Sequence, residues 1–263
     1  MPRRPRLDFT GFHHIMNRGV ARSDIYLCRE DRETFLMILC KSCDNYKVNI
    51  HEYCLMDNHY HLIIETTQEN LSLFMRHISS NYAIYFNKKY ERSGHLWQGR
   101  YKSWYIYSED YLYTLFRYIE HNPIQAKLAD EIGQYEYTLL APVLNKYLKL
   151  PKCAEHSQLK KEFHNQGVQE LLEIALSEDE LQLLKKEQKK KVIQIEYEYR
   201  PLILPELESY FKDSMSKRER NIGIIKAIED GQKQSSIAMF LNISPSAIVK
   251  IKNANEVSSS TSI

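Results

Sequence analysis

Two histidines and one tyrosine are the residues whose types and spacing point most directly to chemistry. His59 and His61 are two residues apart, at the start of a stretch, 60–65, that reads as a strand. Because side chains alternate along a strand, both imidazoles face one side and Tyr60 faces the other. Two adjacent imidazoles can chelate a divalent metal. A metal beside a tyrosine nucleophile, here Tyr118 on a later helix, is suited to cutting a DNA strand and retaining one end.

Each of these residues also has an ordinary structural alternative. Histidine often serves as a half-buried polar residue, so a His-x-His pair is a weak signal when it stands alone. The chain has 19 tyrosines, and packing against a core is the common role of a tyrosine on a helix. The metal-nuclease interpretation therefore depends on what other segments supply.

Composition limits the protein classes that remain. The chain has 263 residues, enough for one large or two small domains, and its net charge of +2 confines any nucleic-acid surface to a local patch. Five irregularly spaced cysteines argue against a secreted disulfide scaffold, and Cys40 and Cys43 read as buried free thiols rather than zinc ligands. No apolar run approaches membrane-spanning length, and residues 1–6 lack an apolar signal region. These features predict a cytoplasmic protein with no membrane partner.

The order of elements that must position the histidines indicates the fold class. Apolar periodicity and turn residues predict strand, helix, strand, strand, helix, strand and helix over 12–17, 30–46, 48–56, 60–65, 71–87, 94–107 and 109–122. This order predicts an α+β fold with a ferredoxin-like, split βαβ antiparallel sheet. Its helices would cover one face and leave the other open for a site.

The last predicted helix carries the tyrosine and a candidate third ligand. Tyr118 and Asn122 are four residues apart, so they lie one turn from each other beside the apolar stripe. The Asn122 carboxamide oxygen could bind the metal while the phenol points at a bound phosphate. Alternatively, Tyr118 packs at the edge of the stripe, and Asn122 caps a new helix that starts at Pro123.

Three ordered motifs resemble the signatures of the IS200-like single-tyrosine transposases. They are the histidine stretch at 58–65, a Gly-His-Leu-Trp-Gln-Gly-Arg-Tyr-Lys-Ser stretch at 94–103, and an Arg-Tyr-Ile-Glu-His-Asn-Pro stretch at 117–123. The resemblance covers roughly residues 8–145 and is strongest to the branch associated with repetitive extragenic palindromes, which residues 16–20 also resemble.

What the resemblance implies is an HUH endonuclease fold with a defined set of site residues. His59, His61 and Asn122 would be metal ligands for Mg²⁺ or Mn²⁺, and Tyr118 the nucleophile. Insertion-sequence members usually have Gln four residues after the tyrosine, so Asn122 departs from their pattern. The implied activity is a metal-dependent single-strand endonuclease and strand transferase, or transposase, that forms a 5′-phosphotyrosine intermediate on hairpin-forming repeat DNA.

A segment rich in aromatic and basic residues is the predicted DNA surface of this domain. Stacking faces beside cationic groups suit unpaired or distorted DNA, although alternate residues of a strand could instead fill the core. The expected DNA contacts are Arg18, Trp97, Arg100, Tyr101 and Lys102. A basic arm at Arg3, Arg4 and Arg6 could enter a groove or stay solvated.

The C-terminal part has a pattern that resembles a helix-turn-helix. Asn242 suits a left-handed turn residue, Ser244 suits an N-cap, and Ile248 would pack inward. Ser246 and Lys250 would then face DNA. The predicted organisation is an HUH domain over 1–145, a helical connector over 146–210, a helix-turn-helix unit over 211–252 and a disordered tail over 253–263.

Two other functions fit parts of this pattern. One is a sequence-specific DNA-binding regulator with a silent nuclease fold, and the other is a nickase of the relaxase or replication-initiator type. The order of the motifs, with the histidines before the Trp97 motif and the tyrosine after it, favours the transposase. The predicted partner is single-stranded DNA with a hairpin or palindromic repeat, and the sequence leaves open a monomer or a homodimer.

Overall fold

The protein is described by a computed structural model over residues 8–188, 192–195, 198–201, 204–211, 215–244 and 246–252. The chain divides into two compact units, Met1–Arg200 and Pro201–Ile263. The predicted basic arm and the predicted tail both lie outside the described residues. Within the part of the chain that is described, no helix is both long and apolar enough to cross a lipid bilayer.

A four-stranded antiparallel sheet forms the centre of the first unit. Its strands are β1 (Gly11–Arg18), β2 (Val48–Met56), β3 (His59–Thr66) and β4 (Lys102–Ile106), in the spatial order β2-β3-β1-β4. With helices between β1 and β2 and between β3 and β4, this is the predicted ferredoxin-like topology, which is thereby confirmed. The strand β3 is central, because it pairs with β1 on one side and β2 on the other.

Two long helices cover one face of the sheet. They are α1 (Arg29–Tyr46) and α2 (Leu71–Lys89), and they pack against each other. The Asp31 carboxylate caps α1 by accepting the backbone N–H groups of Leu27 and Cys28, and Lys47 ends the helix in the left-handed conformation. Apolar side chains at helical spacing in α1 and α2 meet those of β3, and the pairing of Phe35 with Tyr60 is typical of this layer.

The other sheet face is not open as predicted, because α3 (Glu109–Glu120) lies over it and carries Tyr118 to within ring contact of His61 on β3. The N-cap Ser108 starts α3 by accepting the N–H of Tyr111. Further short helices follow: α4 (Asn122–Gln125), α5 (Leu140–Leu144), α6 (Gln158–Glu162), α7 (Gln166–Glu173) and α8 (Glu178–Glu187). Leu159, Leu172 and Leu184 of these helices are buried in the same core as the sheet. Residues 158–187, within the expected connector, therefore pack on the sheet domain.

Three sequence-based expectations differ from the structure in this unit. The segment 94–107 is a strand only from Lys102. Residues 96–98 instead pair with residues 18–20, and Gly99 to Tyr101 lie between these two paired regions. The connector expected to be helical over 146–210 is not all helix, since β5 (Val192–Ile195) follows α8 and pairs with β6 (Glu198–Pro201). Cys40 is not a free thiol: it forms a disulfide with Cys153, whereas Cys43 is free and buried.

The second unit is a small helical domain with its own core. It contains α9 (Lys217–Glu229), α10 (Gln234–Phe240) and a further helical stretch, α11 (246–252). Asn242 has φ of 52°, so the residue in the turn before α11 is left-handed as the sequence predicts. Ser244 accepts the N–H of Ala247, and Ile248 is fully buried beside Ile224 and Ile237. Pro245, which the sequence places between Ser244 and this helix, lies outside the described residues.

Candidate active site

The two histidines of β3 lie on the sheet face that α3 covers. His61 is buried and His59 is half-buried, and their ring centroids are 5.2 Å apart. Tyr60 between them is fully buried on the opposite face, where its ring lies 4.9 Å from that of Phe35. The alternation expected from the sequence therefore brings both imidazoles together and excludes Tyr60 from the site.

Asn58 fixes the orientation of the first imidazole. The Nδ1 of His59 lies 2.7 Å from Asn58 Oδ1, and the amide nitrogen of Asn58 donates to the carbonyl of Arg22. Because that amide contact identifies Oδ1 as the acceptor, His59 Nδ1 carries the hydrogen and Nε2 is left unprotonated. An unprotonated imidazole nitrogen is the form that binds a metal.

A third histidine, not singled out from the sequence, contacts the second imidazole. His14 on β1 is fully buried, and its Nε2 lies 2.9 Å from His61 Nδ1. The adjacent pair His13–His14 holds a signal for it, because alternation sends one of two consecutive strand residues to each face. The pairing of β1 with β3 decides which of the two histidines reaches His61. Met16 is aligned with His61, and His14, two residues from Met16, is on the same face of the sheet.

Both candidate histidine ligands are held in the neutral state near pH 7. Burial lowers the pKa of His61 well below its ordinary value, and the neighbouring His14 and His59 lower it further. Burial also lowers the pKa of His59, with a smaller contribution from the Arg18 guanidinium. Neutral imidazoles need not lose a proton before they coordinate a cation.

Tyr118 lies directly against the histidines. Its ring centroid is 5.6 Å from that of His61 and 6.3 Å from that of His14, with the ring planes close to perpendicular. Burial raises the pKa of the Tyr118 phenol, and a hydrogen bond with the Asn122 side chain acts in the opposite direction. The phenol therefore needs a positive charge nearby to become a nucleophilic phenolate.

Asn122 is beside Tyr118, and it is the first residue of α4 rather than the N-cap that the sequence suggested, since His121 is in the N-cap position. It starts α4 with Pro123 in the first turn, and its amide nitrogen donates to the backbone carbonyl of Tyr118 at 2.6 Å. That bond leaves the carboxamide oxygen as the atom for a cation. The assignment of Asn122 as third ligand stays a prediction.

The helix that carries Tyr118 is anchored on both sides. Arg117 is buried and donates to Glu180 Oε1 at 2.8 Å, to the carbonyl of Ile174 at 3.0 Å and to the carbonyl of Ala175. On the sheet side, Glu120 accepts the N–H of Leu140 and lies against the buried Glu52 of β2. These contacts fix α3 relative to the histidines.

The donor set fits a cation that keeps other oxygen ligands. His59 and His61 offer two imidazole nitrogens, and Asn122 could add one amide oxygen. The described part of the chain contains no cluster of three His, Cys, Asp or Glu residues that would enclose a metal by itself. Such an open set suits Mg²⁺ or Mn²⁺, which share their coordination with waters and substrate phosphates.

The expected DNA-contacting residues differ in how accessible they are. Arg100 and Lys102 are exposed, whereas Arg18 is half-buried and donates to the Gln98 side chain. Tyr101 is only 8% exposed. The indole N–H of Trp97 donates to the carbonyl of Ser79, which holds that half-buried ring in place. A groove of about 810 Å³ runs along the 94–101 segment and α2. In the second unit, Ser246 and Lys250 are both exposed on α11.

Comparison with known proteins finds a matching family model and similar solved structures. Residues 10–122 match the family model described as "Transposase IS200 like". The chain is similar to a solved structure of a REP-associated tyrosine transposase bound to a REP hairpin, at 16% identity and a TM-score of 0.47 over 57% of this chain and 88% of that one. It is also similar to a protein of Deinococcus radiodurans R1 named as a transposase, at 18% identity and a TM-score of 0.33 over 46% and 97% of the two chains. No curated protein matches the chain.

Proposed function

We propose that this chain, whose residues 10–122 match the IS200-like transposase family model, is a metal-dependent single-strand DNA endonuclease and strand transferase with Tyr118 as its nucleophile. The observation that supports the proposal is the contact of the Tyr118 ring with His61, beside His59. This brings a nucleophile and a potential metal chelate to one face of a rigid sheet.

The reaction is an in-line displacement at a DNA phosphate. The Tyr118 hydroxyl oxygen forms a bond to phosphorus, the bond to the 3′ oxygen breaks, and the phenol proton passes to solvent while the leaving oxygen gains one. The products are a 5′-phosphotyrosine and a free 3′-OH. Because the new bond conserves the energy of the old one, a 3′-OH can later reverse the step and join strands.

A cation held by His59, His61 and Asn122 would neutralise phosphate charge and favour ionisation of the Tyr118 phenol. The protein residues contribute positioning. Asn122 bonds the backbone of Tyr118, and Arg117 and Glu120 hold the helix against the sheet. Since the reacting groups are fixed before DNA binds, little reorganisation is needed for attack.

We extend the proposal to the DNA substrate and the use of the two units. The substrate is single-stranded DNA with a hairpin-forming repeat, held by the exposed Arg100 and Lys102. The unit over 211–252 adds affinity through α11 and takes no part in chemistry. Residues 1–145 form the catalytic domain, and 146–210 form the connector, of which 158–187 pack on the sheet domain. The protein would act in the cytoplasm, as a monomer or a homodimer.

The test is a cleavage assay with a labelled hairpin oligonucleotide in Mn²⁺ or Mg²⁺. The wild type should form a denaturation-resistant adduct that maps to Tyr118, and Tyr118→Phe should form none. Tyr113→Phe is a matched control on the same helix, because its hydroxyl bonds Glu162 instead of facing the histidines. His59→Ala should abolish cleavage and leave DNA binding largely intact.

Several outcomes would contradict the proposal. An adduct that persists in Tyr118→Phe excludes this nucleophile, and equal cleavage with and without EDTA excludes the metal. Tight, sequence-specific binding without cleavage of any hairpin would instead favour a regulator with a silent nuclease fold. Cleavage that prefers an unstructured plasmid origin would favour a relaxase or replication initiator.

A further inference from the structure

His14 is a buried polar residue without a role in the reaction described above. It is 0% exposed, and its ring lies between that of His61, 5.1 Å away, and that of Trp104, 5.0 Å away. The planes of the two imidazoles are 23° apart and their nearest nitrogens are 2.9 Å apart. The rings therefore meet nearly in one plane, joined edge to edge by a single N–H···N hydrogen bond.

One proton lies between the two rings, and its position decides whether His61 can bind a metal. A neutral imidazole carries one hydrogen, on either Nδ1 or Nε2. If His14 donated, His61 would hold its hydrogen on Nε2, and that nitrogen would be unable to coordinate. If His61 donates from Nδ1, its Nε2 carries a free electron pair.

His59, the neighbouring histidine, indicates which tautomer of His61 the site requires. The partner of His59 Nδ1 is a carboxamide oxygen of Asn58, which can only accept, so His59 presents Nε2. For His61 to present the equivalent atom, His14 Nε2 must also accept. His14 then carries its own hydrogen on Nδ1, a buried atom for which the described residues provide no hydrogen-bond partner.

We propose that His14 is the positioning residue of the metal site: it accepts the Nδ1 hydrogen of His61 and so keeps His61 Nε2 unprotonated and aimed away from β1. The inference rests on the proposed function, since it takes His61 to be a ligand. Partners of this kind fix the tautomer and the orientation of a coordinating imidazole. The Trp104 ring and the perpendicular Tyr118 ring limit rotation of the pair.

The first measurement is the Mn²⁺ affinity of the protein without DNA, by calorimetry or electron paramagnetic resonance. His14→Phe keeps a flat ring but offers no acceptor, and roughly a 10–100-fold loss of affinity is expected. His14→Gln places an acceptor oxygen near the former Nε2 and should recover much of that loss. His13→Phe is the matched control, since the adjacent His13 is equally buried but bonds the carbonyl of Phe9 on the opposite face.

The second measurement needs no variant and no activity. Long-range ¹H–¹⁵N spectra of histidine-labelled, metal-free wild type should show His61 protonated on Nδ1 and His14 protonated on Nδ1. A His61 that carries its hydrogen on Nε2 would overturn the proposal, whatever the behaviour of the variants.

His61→Ala separates this inference from the proposed function. If His61→Ala binds Mn²⁺ as tightly as the wild type, the metal site itself is wrong. If His61→Ala loses Mn²⁺ while His14→Phe binds it like His13→Phe, the metal site stands and the role of His14 is refuted. Loss in His14→Phe with recovery in His14→Gln, together with the expected tautomers, supports the inference.

Discussion

The buried carboxyl pair formed by Glu52 of β2 and Glu120 of α3 allows a quantitative prediction about stability. Glu52 and Glu120 are 0% and 1% exposed, and each uses one oxygen to accept a backbone N–H. Their other oxygens have no hydrogen-bond donor among the described residues, and we infer that one carboxyl keeps a proton that it shares with the other. Burial raises the pKa of both, and for Glu52 the neighbouring Glu120 raises it further. We therefore expect Glu52→Gln to stabilise the protein at neutral pH.

The sign and size of the effect follow from proton counting. A carboxyl with a raised pKa keeps its proton in the folded state at a pH where the unfolded chain has released it, so rising pH destabilises the fold. Each such proton lowers the free energy of unfolding by about 1.4 kcal/mol for every pH unit above the ordinary glutamate pKa of ~4.3. Between pH 5 and pH 7, the advantage of Glu52→Gln should grow by about 2–3 kcal/mol, or roughly 5–10 °C in Tm.

The assay is urea unfolding of wild type and Glu52→Gln at pH 5, 6, 7 and 8. The difference between the two proteins is the informative quantity, because burial lowers the pKa of His13 to about 4 and gives both proteins an opposite slope below pH 6.5. The exposed Glu69 provides a control, Glu69→Gln, that should show no growing difference. A Glu52→Gln advantage that stays constant from pH 5 to pH 8 would refute the shared-proton account.

Two further predictions concern the anchoring of α3 and the second unit. Glu180→Gln weakens the charged hydrogen bond to Arg117 but keeps the bonds of Arg117 to backbone carbonyls. Because Glu180 is partly exposed, we expect the free energy of unfolding to fall by about 1 kcal/mol and single-turnover cleavage to slow at unchanged DNA affinity. An unchanged cleavage rate would show that this contact does not position Tyr118. Deletion after residue 210 should weaken binding to the cognate repeat and lower the slope of log affinity against log salt by about 1.5–2, since Lys250 and Lys252 are lost. Binding curves that superimpose for full-length and truncated protein would contradict a DNA role for this unit.

Local rules were sufficient for the fold and for part of the site. Strand alternation alone places His59 and His61 on one face, and the order of elements alone gives the ferredoxin-like sheet. The left-handed Asn242 also follows from the conformational preference of its own residue type. Each of these depends on residues close together in the chain.

The remaining features depend on pairings that the sequence does not specify. His14 reaches His61 across 47 residues, and only the register of β1 against β3 decides that it does. Glu52 is a carboxyl directly before the apolar run 53–56 of β2, which signals a buried partner without saying which one. The interruption of the 94–107 strand arises because Gly19 bridges to Trp97, a contact between distant segments.

The anchoring of Arg117 has a consequence for how the protein is made. Its partner Glu180 lies 63 residues further along the chain. A ribosome adds ~5–20 residues per second, so Tyr118 is synthesised roughly 3–13 s before the segment that fixes its helix. During that interval the histidines and the sheet can already be folded while Tyr118 is not yet held. The nascent chain therefore completes the contact between Tyr118 and His61 late, after most of its length has been synthesised.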